Sequence, residues 1–599
     1  MKYTYSYKHL LFILCCVLIL FRFTIPPVNM LTWDVFGYYL YLPSHFIQHD
    51  IALQNQEWIT QLLDKYEPTS TLYQAIQIEN GNWVMKYSMG MSFLYAPFFF
   101  IAHLIAELLG YPADGLSLPY QITLSIGGLI YAIIGLIYFS KVLRHFFDQK
   151  VTSIVLILIF FGTNYFQLTI FDGTLLSHNF LFMLYSILIY FTIKFYQDFK
   201  LKNTVIIGFT AGLITLVRPS EGICILIPLL WCNSSENYFT SKIKLLKTQF
   251  LPLVLASVCF LIMLLPQLIY WKSVTGHYLF YSYTNPGEGF DFFFPHTYNF
   301  LFSFRKGWFI YTPLILFAFT GLYFLYKKNK ALSISIFSFI LLDIYICSSW
   351  SNWWYAGGSF SSRSLVPIYS LLAIPLGFLI EKITLSKQKK SLFYPVFGFF
   401  ILLNLFQTWQ FENGIISKER MTKAYYFSIF GKTSKDPKNE KLLLVDRTVD
   451  AEEKFKNEKD YSKSILFKNT FDTVAKTKAF ILNETVSYSP GPDIKFSQIT
   501  NKDHAWIKVS AKIFIPKNYE EELPVIVATF HHKDQTYKYF AYELKKDKIK
   551  YNAWNTIEFD YLTPEVRTND DNLKVYVWHR GKKQILLDDL IIYKYESKD

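Results

Sequence analysis

Apolar runs close to the length of a bilayer crossing, separated by lysine-rich loops, constrain this chain more than any other feature. The runs fall at about 9–29, 91–109, 119–140, 151–171, 178–196, 203–218, 221–232, 250–271, 308–326, 331–348, 365–382 and 393–411. Many approach the roughly 20 residues that cover a hydrocarbon core. Composition agrees: of 599 residues, 52% are hydrophobic and only 18% charged. A soluble chain of this length would divide into several cores and carry more charge.

Loop charge orients the runs. Basic residues cluster at Lys2 and Lys8, at Lys141, Arg144 and Lys150, and at Lys194, Lys200 and Lys202. Further clusters are Lys242, Lys244 and Lys247; Lys327, Lys328 and Lys330; and Lys382, Lys387, Lys389 and Lys390. Such loops belong on the cytoplasmic side, which also accounts for the net charge of +13 without nucleic acid. The loops between them, 172–177, 218–222, 272–307 and 349–364, carry few basic residues and belong outside. From 141 onward the alternation is regular. Near the start it requires one of three runs not to cross. The run 91–109 contains Pro97, His103 and Glu107 and precedes a turn-rich stretch, Gly110 to Gly115. It is expected to lie along the outer interface, leaving about eleven spans and a cytoplasmic N-terminus. Leu10 to about Met30 reads as an uncleaved first span. The expected location is the inner (plasma) membrane, with residues 1–411 as the membrane domain and 30–118 as a large outer loop with interfacial helices.

Beyond 411 the composition changes. Residues 412–464 read as a polar linker, and 465–599 alternate in strand fashion, as in Trp506–Ile515, Val525–Phe530, Leu573–Trp578 and Ile585–Tyr593. The expected fold class is thus a multi-pass α-helical membrane domain followed by an extracytoplasmic all-β sandwich. None of the six cysteines lies in that last domain, and no Cys/His spacing suggests zinc.

The candidate chemistry sits at the outer boundary. Asp34, in Leu31-Thr-Trp-Asp-Val-Phe-Gly-Tyr-Tyr39, follows the first span among aromatics. A carboxylate there serves as a general base, or is a solvated residue at a helix end. Asp172 and His178 share the next outer loop. They suit a divalent metal or an oriented base, or else form an ordinary Asp-Gly turn and helix start. Arg218, in Val217-Arg-Pro-Ser-Glu221, suits a phosphate through its planar fork; Glu221 could instead pair with it. Arg363 follows a glycine-rich loop and the cluster Trp350, Trp353, Trp354 and Tyr355, much of which an interfacial belt explains. Arg305, Lys306 and Lys86 add positive charge. A base for an acceptor hydroxyl, with cations or a metal for a departing phosphate, is what transfer from a lipid-phosphate donor requires.

The order of these features resembles the GT-C glycosyltransferases, in particular the bacterial branch related to protein O-mannosyltransferases and aminoarabinose transferases. The resemblance covers residues 1–411. It rests on Asp34 after the first span, a long outer loop, and Asp172 after the third span. Arg218-Pro219, Phe304-Arg-Lys-Gly-Trp308 and Gly357-Gly358 before Arg363 complete it. It implies a catalytic or acceptor-orienting Asp34, support or metal binding from Asp172, and arginines on a polyprenyl-phosphate donor, with inversion at the sugar. Two features depart from the pattern. Met85–Gly90 stands where many relatives have Pro-Pro, and Asp34 stands alone where an acidic pair is usual. The terminal domain resembles carbohydrate-binding sandwiches, with Trp506, Trp554 and Trp578 as stacking or core residues. The implied partners are a polyprenyl-phosphate sugar, membrane lipid and an extracytoplasmic glycan, lipid or protein acceptor. A transporter or flippase of lipid-linked glycans is the main alternative, although no internal repeat accompanies it.

Overall fold

The computed structural model describes residues 6–27, 29–171, 174–231, 248–284, 288–354, 358–447, 461–472 and 479–598. The chain divides into a helical unit reaching Pro437 and a β unit from Lys438 onward. Residues 412–437, expected as linker, thus belong to the helical unit.

Seven helices among the described residues are long and apolar enough to cross a membrane: Tyr7–Thr24, Gly90–Leu109, Leu118–Phe146, Ser177–Asp198, Phe250–Thr275, Lys330–Ser348 and Lys387–Glu412. The segment expected along the interface, 91–109, is one of them. It absorbs Pro97 and continues past Ala106 as a short 3-10 turn. Several expected spans are broken or end in irregular turns, two of them at a proline. The run 151–171 stops at Gly162 and restarts as Tyr165–Ile170. The helix Leu201–Val217 ends before Pro219, and the chain continues as the 3-10 turn Pro219–Ile225. Thr312-Pro313 likewise separates Trp308–Tyr311 from Leu316–Lys328. At the last two breaks, proline lacks the N–H that would extend the helix, and its ring disfavours helical geometry in the residue before it.

Two short strands inside the long loop after the first helix matter for the site. Strands β1 (Ala75–Gln77) and β2 (Trp83–Met85) form an antiparallel hairpin with Ala75 opposite Met85. The ladder continues one step as the Lys86 N–H donates to the Gln74 carbonyl at 2.8 Å. The residues flanking the open end, Tyr73 and Lys86-Tyr87, are thereby brought side by side.

The β unit contains β3 (Tyr461–Asn469), β4 (Phe480–Leu482), β5 (Asp493–Lys495), β6 (Trp506–Ile515), β7 (Val525–His532), β8 (Gln535–Glu543), β9 (Ala553–Leu562), β10 (Asn572–Trp578) and β11 (Ile585–Ser597). One sheet has the order β3-β11-β6-β9, with β4 also on β11; the other has the order β5-β10-β7-β8. Alternation decides which faces meet. In β6, Ile507, Val509, Ala511, Ile513 and Ile515 are all fully buried. They share one core with Ile526, Ala528 and Phe530 of β7 and Leu573, Val575 and Val577 of β10. Of the three tryptophans singled out above, Trp506 is buried, Trp578 half-buried and Trp554 exposed.

Candidate functional site

Asp34 lies in the first turn of the short helix Trp33–Tyr39. The entry to that helix is tied down from two sides. The Met30 and Leu31 N–H groups both donate to Gln121 Oε1, at 2.9 and 3.2 Å. The Trp33 N–H donates to the Pro68 carbonyl, while Gln74 Nε2 donates to the Trp33 carbonyl. The helix then buries Phe36 and Tyr39 and leaves the Asp34 side chain 26% exposed.

Three donors reach its carboxylate. Tyr87 and Tyr73 donate their hydroxyls to Oδ1 at 2.7 and 3.1 Å. Arg363 Nη2 donates to Oδ2 at 2.9 Å. Both tyrosines come from the open end of the β1–β2 hairpin. Gly37, one turn after Asp34, makes room for one of them, since a Cβ there would fall 2.5 Å from Tyr87 Cδ2. Burial by itself would raise the Asp34 carboxyl. The Arg363 guanidinium, the two hydroxyls and the Lys86 ammonium outweigh it and hold the group below the usual carboxylate range. In turn, burial and then the Asp34 charge push the Tyr87 and Tyr73 hydroxyls upward, so both remain donors.

Lys86 is almost wholly buried. Its ammonium sits 5.2, 5.4 and 5.3 Å from the ring centres of Tyr73, Tyr87 and Tyr283, a three-sided aromatic surround that favours a cation. Arg363 starts a 3-10 turn, Arg363–Leu365, and its side chain is 14% exposed. The loop before it is sewn to the 303–308 segment. Ser362 Oγ donates to the Lys306 carbonyl at 3.1 Å, and the Lys306 ammonium donates to the Ser359 carbonyl. Burial first, then Arg305 and Arg363, hold Lys306 well below the usual lysine range.

A second group of charges stands next to the first. Arg218 caps the helix Leu201–Val217. Its Nη1 lies 3.3 Å from His178 Nδ1 and 3.6 Å from Glu221 Oε1. Tyr185 donates to Glu221 Oε2 at 2.6 Å. Close approach of the backbones aims this group. A Cβ on Gly90 would collide with the main chain of Leu216 and Val217, so only glycine lets the two helices meet there. Tyr38 links the groups: its hydroxyl is 3.5 Å from Ser177 Oγ and within electrostatic reach of Asp34, Arg218 and Arg363.

The expected residues are therefore distributed unevenly. Asp34, Arg363 and Lys86 converge, and Arg218, His178 and Glu221 form the adjoining patch. Glu221 pairs with Arg218, as the second of the two readings of that loop held. Arg305 faces elsewhere, with Nε on the Glu419 carbonyl at 2.7 Å and its guanidinium 4.3 Å from the Trp354 ring centre. Asp172 lies outside the described residues. Among the described residues no three His, Cys, Asp or Glu side chains gather as a metal site. A guanidinium 3.3 Å from Nδ1 also makes His178 an unfavourable neighbour for a cation.

Sequence reasoning passed over Tyr73, Tyr38, Tyr185 and Asp343. Tyrosine is too common here, at 44 residues, for any one to stand out. Asp343 did carry a signal. It is an isolated acid inside the apolar run 331–348, it is 2% exposed, and it lies within electrostatic reach of Glu221 and Arg218.

The resting site can hold a hydroxyl near an ionised carboxylate and present several fixed cations beside it. No protein-family model matches this chain, and no curated protein matches it.

Proposed function

We propose that this protein is an integral membrane glycosyltransferase of the GT-C type. It moves a sugar from a polyprenyl-phosphate donor to an extracytoplasmic glycan, lipid or protein acceptor, with inversion. The observation that carries this reading is the Asp34 carboxylate, held by Arg363 and two tyrosine hydroxyls within reach of Lys86, with Tyr38 between it and Arg218. Glycosyl transfer leaves negative charge on the departing phosphate, which fixed cations stabilise. Arg363 and Lys86 outnumber Asp34 at its carboxylate, while Arg218 stands beside Glu221 and Asp343. The loop-charge pattern puts this face opposite the basic cytoplasmic loops, with the β unit also outside.

In the reaction, the acceptor hydroxyl oxygen attacks C1 of the sugar from the side opposite the phosphate. The C1–O bond breaks and its electron pair stays on the phosphate. Asp34 accepts a hydrogen bond from the hydroxyl, orients it, and takes its proton as the new bond forms. The lowered acidity range makes Asp34 a weak base at rest. Its strength rises when a donor phosphate draws Arg363 away, which couples donor binding to activation of the acceptor.

The test is Asp34→Asn in purified protein with a polyprenyl-phosphate sugar. Transfer is expected to fall by about 10²–10⁴-fold while the protein still elutes as a folded species. Transfer at the normal rate ends the proposal. The flippase alternative draws on one observation, the buried Glu221 and Asp343 beside Arg218. It predicts movement of a lipid-linked glycan across vesicles with no glycosidic bond made.

A further inference from the structure

The helices Leu118–Phe146 and Ser177–Asp198 run side by side in one direction. A Cβ on Gly135 would stand 3.3 Å from Met183 Cα, and near the helix ends His145 Nδ1 lies 3.3 Å from Gln197 Nε2. The two helices therefore end at one level, and the lysine-rich loops 141–150 and 194–202 lie at that end. Ile130, Ile134, Tyr138, Lys141 and His145 recur at spacings of three and four and so share one face of the first helix. Tyr190, Lys194 and Gln197 do the same on the second. The two faces meet at their rings, with Tyr138 5.5 Å from Tyr190 and 6.0 Å from Phe191. Tyr138 and Tyr190 are half-buried, so they floor a groove that stays open to the outside of the bundle.

Two lysines fold over this floor. The Lys141 ammonium is 4.4 and 5.6 Å from the ring centres of Tyr138 and Tyr190, and the Lys194 ammonium is 5.8 Å from that of Tyr190. Lys194 is also within electrostatic reach of His145. The rings favour each cation, but the cations repel one another. No acid balances them. The only acid in either helix is Asp198, and Lys200 and Asn203 engage it at 3.0 and 2.8 Å. Among the described residues no carboxylate pairs with Lys141 or Lys194. An anion between the two ammoniums would relieve the repulsion. Position along the helices decides which anion. Each lysine stands about one turn inside its helix end, the level of lipid headgroups where basic pockets between helices attract acidic lipid. Beyond the tyrosines, Ile134 and Ile130, the latter 40% exposed, continue the same face as aliphatic surface. A cationic mouth above an aliphatic wall fits a phosphate that carries acyl chains, not a free phosphate.

We propose that this groove binds an anionic phospholipid, its phosphodiester between Lys141 and Lys194 over the Tyr138–Tyr190 pair and an acyl chain along Ile134 and Ile130. The assignment rests on reading these helices as membrane spans and is independent of the sugar transfer proposed for the helical unit.

The test uses the full-length protein in detergent, stripped of lipid and titrated with dioleoyl phosphatidylglycerol or dioleoyl phosphatidylcholine, with bound lipid counted by native mass spectrometry. One phosphatidylglycerol should be held at least about tenfold more tightly than phosphatidylcholine, and excess inorganic phosphate should not displace it. Lys141→Gln combined with Lys194→Gln should weaken that binding by about 10–30-fold, the loss of two cations at a membrane surface. Lys327→Gln combined with Lys330→Gln is the control. Those ammoniums lie 4.6 and 5.6 Å from the Tyr323 and Tyr326 rings, but Glu381 stands 4.0 Å from Lys328 between them, so this pair should leave binding unchanged. Equal affinity for the two lipids, displacement by inorganic phosphate, or an equal loss in the control would each overturn the assignment. Glutamine is a good helix former, and a far-ultraviolet spectrum matching the parent protein verifies that the variants fold. Failure here leaves the Asp34→Asn outcome untouched.

Discussion

At the scale of single residues, the Asp34–Arg363 pair makes the sharpest statement. The two residues are 329 positions apart in the chain and meet at 2.9 Å. Both were legible individually, as an acid after a span and an arginine after a glycine-rich loop, but nothing in the sequence says that they touch. Their contact has a consequence for pH. Arg363 is the strongest of the influences lowering the Asp34 carboxyl, so its removal raises that group. An ionised Asp34 is required for transfer, so activity is lost as pH falls through the folded value. In Arg363→Ala the acidic limb of the pH–rate profile should therefore move to higher pH, read as the midpoint of kcat/KM against pH. Arg363→Lys keeps the charge and should move the limb less. It loses the planar fork, however, and should raise KM for the donor by about tenfold. An unchanged acidic limb in Arg363→Ala would separate Asp34 from the rate.

At the scale of elements, glycines and prolines decide how the pieces meet, and here the sequence was only partly readable. Apolar runs announced apolar helices, but among the described residues only seven helices are long enough to span a membrane, and runs such as 151–171 and 308–326 are broken. Their ends followed proline and glycine chemistry that hydropathy alone does not see, as at Gly162 and at Thr312-Pro313. The β1–β2 hairpin was missed because three-residue strands leave no periodic signal. The residues flanking that hairpin, Tyr73, Lys86 and Tyr87, are three of the four groups that hold Asp34 ionised. Gly37 tests their role. A Cβ there meets the Tyr87 ring and Gln74 Cγ, at 2.5 and 2.8 Å, and pushes the hydroxyl from Asp34. Gly37→Ala should leave the helical content intact but lower kcat by about 10–100-fold, a misplacement effect visible in single-turnover rates. Gly90→Ala meets backbone rather than a movable ring. It should cost about 1–3 kcal/mol of stability, visible as a lower melting temperature in the same detergent.

At the scale of the whole molecule, the chain is two units with separate cores, and all the convergent charges lie in one of them. The β core is made wholly of residues beyond Lys438, from Phe471 to Ile592, and includes both sheets. A chain segment with its own two-sheet core has what it needs to fold alone. Residues 438–599 expressed by themselves should give a soluble product with a strand-type circular dichroism spectrum and a cooperative melt. A non-cooperative melt would mean that the core is incomplete without the helices. Residues 1–437 contain Asp34, Lys86, Arg218 and Arg363, together with the seven helices that, among the described residues, are long enough to span. In the proposed reaction these residues perform the bond exchange, and the β unit contributes only through the acceptor. The shortened chain should therefore retain slow donor hydrolysis, with water replacing the acceptor hydroxyl. Asp34→Asn in that background should remove it. Hydrolysis in 1–437 that survives Asp34→Asn would assign the proton transfer to a group other than Asp34, while loss of hydrolysis in 1–437 itself would make the β unit a part of the reacting site.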